Sequence, residues 1–110
     1  GRAGFFFLEA RDGFLSGWGK DTEVVFESNY IIAGDTARGF GSGVNHVLGK
    51  RFLYSSVLIA TGDGTLSEDW HVYFVDAPER TGRSIFRRPS GRRRRRGEYG
   101  KRGGPVAGAS

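Results

Sequence analysis

The sequence predicts an all-β fold: a small antiparallel barrel or sandwich of about five to seven short strands, followed by a basic, disordered C-terminal tail. Three observations predict it. Aromatic and β-branched runs recur between Gly- and Asp-rich turns at a spacing of roughly 8 to 15 residues. No stretch keeps an amphipathic helical period over three turns, and no internal repeat stands out beyond the scattered glycine turns. Apolar residues then nearly vanish after Pro78, while basic residues accumulate from Arg83 onward.

The elements follow in order. Residues 4–10, GFFFLEA, are aromatic and stop at Arg11-Asp12-Gly13, which reads as a strand entering a hairpin. Phe14 and Leu15 begin the return strand, with Gly17 and Gly19 around Trp18 expected to break or bulge it. TEVVFES (22–28) and YIIA (30–33) read as two strands, or as one long strand bent near Asn29, ended by Gly34-Asp35. Residues 37–50 contain glycines 39, 41, 43 and 49, too many for a helix interior, so a loop with a short helical turn near 44–48 is expected. RFLYSSVLIAT (51–61) is the longest apolar run and reads as a central strand, closed by the turn Gly62-Asp63-Gly64. After the polar residues 65–69, WHVYFV (70–75) alternates Trp70, Val72 and Phe74 against His71, Tyr73 and Val75, the mark of a strand with two unequal faces. Ile85 and Phe86 can dock as a last edge strand; the domain boundary is placed at Gly82, with residues 83–110 as the tail.

Charge divides the chain at that boundary. Residues 1–82 carry 7 basic and 11 acidic side chains, a net −4; residues 83–110 carry 10 basic ones against Glu98 alone, a net +9. The run Arg92 to Arg96 repels itself and cannot be buried unpaired, so it calls for dense negative charge outside the chain, most naturally a phosphate backbone. The absence of cysteine excludes disulfides and thiolate metal sites and fits a reducing, intracellular compartment. No apolar run approaches the roughly 20 residues of a membrane-spanning helix, and the first residues lack the charged start, long apolar segment and small-residue cleavage site expected of a secretory signal. Methionine is missing even at position 1, as expected of a processed product or an excised fragment.

The expected nucleic-acid contacts are Arg87, Arg88, Arg92, Arg93, Arg94, Arg95, Arg96, Lys101 and Arg102 on phosphate, with Tyr99 stacking on bases and Arg102-Gly103-Gly104 forming an RGG element. RNA is favoured over DNA. Arg87-Arg88-Pro89-Ser90 offers Ser90 to a basophilic kinase, and phosphate there would subtract charge beside the arginine run. Arg38-Gly39-Phe40-Gly41 opens like the ribonucleoprotein-1 signature of RNA-recognition motifs, but Ser42 and Gly43 stand where an aromatic and an aliphatic residue should follow, and strands fill the place of that family's helix. The stretch is read as a glycine-rich loop.

Catalytic signals are thin. His46 and His71 lack a carboxylate at a telling spacing, and no nucleophile elbow is present. Asp63, Glu68 and Asp69 lack the alternating oxygen ligands of a calcium loop and read as solvated turn carboxylates. No cofactor or metal is expected. The expectation is therefore a non-enzymatic component of a nucleoprotein assembly: the tail grips RNA, and the acidic, aromatic body contacts protein. The alternative is a small barrel that binds a carbohydrate or other small ligand, with Trp18 or Trp70 at its site and an incidental tail. A third possibility is an enzyme using Asp35, His46 or His71 in a barrel mouth.

Overall fold

A computed structural model describes residues 4–88, 98–101 and 106–109, and every regular element among them is a strand. Seven antiparallel strands follow one another as a meander: β1 (Gly4–Arg11), β2 (Phe14–Asp21), β3 (Val24–Ala33), β4 (Thr36–Asn45), β5 (Lys50–Ala60), β6 (Thr65–Phe74) and β7 (Arg80–Arg87). Two four-residue strands, β8 (Glu98–Lys101) and β9 (Val106–Ala109), lie along the free edge of β7. The meander curls into a half-barrel, and β8 bridges its two edges by pairing with β1 as well as β7. Within the meander the connections are two to five residues long. The expected Asp12-Gly13 hairpin has φ of 51° and 83° at its two central residues, the backbone that matches the twist of the flanking strands.

Strand alternation sorts the side chains. Phe6, Tyr30, Ala37, Leu58, Leu66 and Phe86 turn inward as one core, flanked by Leu8, Leu15, Phe26 and Ile32. The Phe6 ring lies 5.3 Å from Phe26 and 5.2 Å from Phe86, joining the first and seventh strands across the interior. Fully burying each such side chain contributes about 1.5 to 3 kcal/mol, so these rings hold the curl shut.

The structure departs from expectation in three places. Residues 37–50 are not a loop with a helical turn; they form β4 and a short connection to β5. Gly39, Gly41 and Gly43 all face the interior, where rings from the neighbouring strands cover them: a Cβ would meet Tyr30 at Gly39, Tyr54 at Gly41 and Phe52 at Gly43, all closer than 3 Å. Large rings on β3 and β5 take the room that β4 leaves, a context that overrides the poor intrinsic strand propensity of glycine. The strands are also longer, 8 to 11 residues in the meander, because Gly17, Gly19, Asn29 and the polar residues 65–69 all sit inside continuous strands. Finally, β7 runs across the expected boundary at Gly82, with Ser84 and Phe86 buried. Of the residues assigned to a disordered tail, 98–101 and 106–109 are strands, while 89–97, 102–105 and 110 lie outside the described residues.

Candidate ligand-binding interior

The two ends of the half-barrel differ. At the end bearing the β1–β2, β3–β4 and β5–β6 turns, Leu8, Leu15, Ile32, Ala37, Leu58 and Leu66 fill the interior. At the other end a cavity of about 80 Å³ opens between Phe26, Phe52, Phe74, Phe86 and Trp70. Its mouth carries Lys20, Asp21, Glu23, Asn45 and Arg80.

The mouth is built by the connections between strands. Asp21 Oδ1 accepts the backbone N–H groups of Glu23 and Val24, both at 2.8 Å, and so fixes the β2–β3 turn. Asn45 does the same for the β4–β5 turn, accepting from the Val47 and Leu48 N–H groups at 3.0 and 2.9 Å. The Asn45 amide also donates to Glu23 Oε1 at 3.0 Å, and Arg80 reaches that same oxygen at 3.4 Å. The Arg80 guanidinium sits 5.7 Å from the Phe74 ring centre, a cation over the aromatic rim.

Deeper in, the wall turns polar. Glu68 is only 4% exposed. Its Oε2 accepts hydrogen bonds from Ser56 Oγ at 2.9 Å and from the Tyr30 hydroxyl at 3.3 Å. Trp70 Nε1–H donates to Ser84 Oγ at 3.1 Å, which leaves the Ser84 proton free to donate in turn. Tyr54, 5% exposed, lines the cavity, and its buried hydroxyl has no hydrogen-bond partner of good geometry; nor has the buried hydroxyl of Ser28. Burial raises the proton affinity of Tyr30 and Tyr54 far above that of a free phenol, and the negative charge of Glu68 raises it further. The hydroxyls of Ser28 and Tyr30 are near enough to Tyr54 to shift it electrostatically, without aligned hydrogen bonds. Both tyrosines are therefore neutral donors at any physiological pH.

Glu68 overturns a sequence-based expectation. It is not a solvated turn carboxylate, because β6 starts at Thr65 and alternation places Leu66, Glu68 and Trp70 on the inner face. Asp63 does lie in the exposed turn, and Asp69 points outward to pair with Arg83 at 2.6 Å, which raises the proton affinity of that arginine. Trp70 lines the cavity, whereas Trp18 stands on the outer face with its ring 4.6 Å from that of Phe7 in a stacked pair.

The other expected sites separate. Asp35 and His46 occupy the connections at opposite ends of β4, a span of roughly 30 Å for ten extended residues, and His71 is on the outer face of β6, bonded to Glu79 and stacked on Tyr73. Asp35 and His46 therefore lie too far apart to act together. Among the described residues, no group of three or more His, Asp or Glu side chains is placed to hold a metal ion. Arg87 ends β7 and Arg88 follows it, both exposed. Tyr99 and Lys101 belong to β8, in register with Phe6 and Gly4 of β1. Ser90, Arg92 to Arg96 and Arg102 lie outside the described residues. No helix among the described residues is long and apolar enough to cross a membrane. Compared with known protein families, characterised proteins and solved structures, the chain matches none.

Proposed function

We propose that the protein binds a small, largely apolar molecule inside the half-barrel, through the mouth marked by Asp21, Glu23, Asn45 and Arg80. The observation that carries this reading is the cavity itself, walled by Phe26, Phe52, Phe74 and Trp70 and opening at a mouth that carries Lys20, Asp21, Glu23, Asn45 and Arg80. Aromatic walls with a few convergent polar groups are the usual lining of a small-molecule site. The test uses the two indoles. In a ¹H–¹⁵N spectrum, titration with small aromatic compounds should move the Trp70 indole resonance and leave that of Trp18 in place. If millimolar concentrations of a varied set never move Trp70, the reading fails.

A second reading rests on charge. The net +9 of residues 83–110 contrasts with a body at −4, and Arg87 and Arg88 carry exposed positive charge to the end of β7, where the arginine run follows. This supports the tail as an electrostatic anchor on RNA backbone. The outer face supports protein contact by the body, since Phe40 is 73% and Leu53 65% exposed and Tyr73 and Trp18 lie near them in the sheet. If the five arginines from Arg92 to Arg96 each neutralise one phosphate, the slope of log affinity against log salt for a single strand is about −3.5. A full chain with those five residues changed to serine loses that slope. A wild-type slope shallower than about −1 sinks the reading.

A further inference from the structure

The outer face of the sheet is apolar where its strands are longest. Alternation turns Trp18, Val25, Phe40, Val44, Leu53 and Tyr73 outward on five consecutive strands, β2 to β6, and each is more than a third exposed. Register joins them into one patch. Val25 stands opposite Val44 and Leu53 opposite Tyr73, while Trp18, Glu27, Ser42 and Leu53 form a single row across four strands. At about 150 to 250 Å² for a whole ring and less for Leu or Val, the exposed part comes to roughly 600 Å², most of the about 800 Å² that each side of a stable interface buries. That is as much as a monomer ordinarily leaves open.

Two charges within the patch identify its occupant. Glu27 and Arg51 are exposed on this face, and neither forms an ion pair or a side-chain hydrogen bond with the described residues. Glu27 stands beside Ser42 of β4 and Arg51 beside Val44, so the line joining them crosses β4 diagonally over about 12 Å. A two-fold axis that lies in the plane of contact and meets this line at right angles above β4 brings Glu27 opposite the Arg51 of a second copy, and Arg51 opposite its Glu27. The same axis passes close to Val25, Val44 and Leu53 and sets them against their own counterparts, as an isologous interface requires. A different partner would need its own charges placed to match; a second copy supplies both. Resting on the reading of the outer face as a surface for protein contact, we propose that its partner is a second copy of this chain, docked face to face with Glu27 and Arg51 paired across the interface.

Sedimentation equilibrium of the full chain tests this. Wild type should pass from the 12.1 kDa monomer to twice that mass as its concentration rises through the micromolar range. Glu27→Arg and Arg51→Glu each set like charges together at both contacts and should weaken the dimer at least about tenfold. An equimolar mixture of the two variants should associate about as tightly as wild type, because each copy then meets its opposite. A wild type that stays monomeric up to about 0.2 mM, single variants that dimerise like wild type, or a mixture no tighter than either variant alone overturns the second copy as partner and leaves the face open to another protein. Leu53→Lys, at an exposed position, should also abolish the dimer while holding the melting midpoint of the dilute monomer within about 4 °C. If it lowers that midpoint by more than about 8 °C, Leu53 packs within the fold, and the contact surface and the second copy are overturned together.

Discussion

Two hydroxyls on the same face of β5 should respond to deletion with opposite signs. Ser56 Oγ donates to Glu68 at 2.9 Å and is also 3.5 Å from the Tyr30 hydroxyl. Removing it in Ser56→Ala takes a donor from a buried carboxylate, and hydrogen bonds to charged groups are worth about 1.5 to 3 kcal/mol. A loss of about 2 kcal/mol lowers the melting midpoint by roughly 8 to 16 °C in a domain of this size. Tyr54→Phe removes a hydroxyl that bonds nothing, while its ring keeps its contacts with Phe26 and Phe52, whose centres lie 5.5 and 6.1 Å away. The variant is relieved of part of the desolvation cost and should gain about 1 kcal/mol, raising the midpoint by roughly 4 to 8 °C. Thermal unfolding by far-ultraviolet circular dichroism, without added ligand, measures both. If Tyr54→Phe lowers the midpoint by more than a few degrees, the hydroxyl is bonded in the folded protein and the reasoning from its missing partner collapses.

Further outcomes follow from the same geometry. Gly41→Ala should destabilise by about 3 kcal/mol, because the new Cβ would stand 1.9 Å from the Glu27 carbonyl oxygen and 2.8 Å from the Tyr54 ring; an urea unfolding midpoint equal to wild type would mean that β4 does not sit in this register. Asp21→Ala removes the acceptor for two backbone N–H groups at the cavity mouth and should cost about 1 to 2 kcal/mol in the same assay, whereas Asp21→Asn, which keeps the oxygen, should retain most of the stability. Asp63 is held at about 2, below its ordinary 3.8, chiefly by the Thr61 hydroxyl and then by the hydroxyl and N–H of Thr65. Its folded-state value is depressed, so its contribution is complete above about pH 4 and is lost as the pH falls toward 2. Stability in Asp63→Asn should therefore vary less over that window, and an unchanged slope would contradict the turn geometry.

The period-two signal in the sequence reached further than the expected elements did. Trp70, Val72 and Phe74 marked the inner face of β6 from composition alone, and stepping back by twos along the same alternation arrives at Glu68 and Leu66, both buried. The polarity of residues 65–69 hid this, because a carboxylate is rarely buried unless it is paired, and its partners Tyr30 and Ser56 are 38 and 12 residues away. Gly39, Gly41 and Gly43 carry the same period. Their role depends on Tyr30, Phe52 and Tyr54 in adjacent strands, so local propensity read a loop where cross-strand packing makes a strand. The three consecutive phenylalanines show the opposite limit: alternation requires rings on both faces, but only the fold decides that Phe6 enters the core while Phe5 and Phe7 remain outside.

That pairing across distance bears on function. A buried carboxylate is a poor stabiliser compared with a well-packed apolar residue, and removing its partners is costly, so stability alone gives little reason for Glu68 to stand among phenylalanines. Ser56 and Tyr30 both bond its Oε2, while the Tyr54 and Ser28 hydroxyls in the same interior have no aligned partner. A polar cluster made only to be self-sufficient would close these bonds among its own members. One that leaves a buried donor unpaired gives up stability there, and a gain in stability in Tyr54→Phe would locate that cost at a single atom.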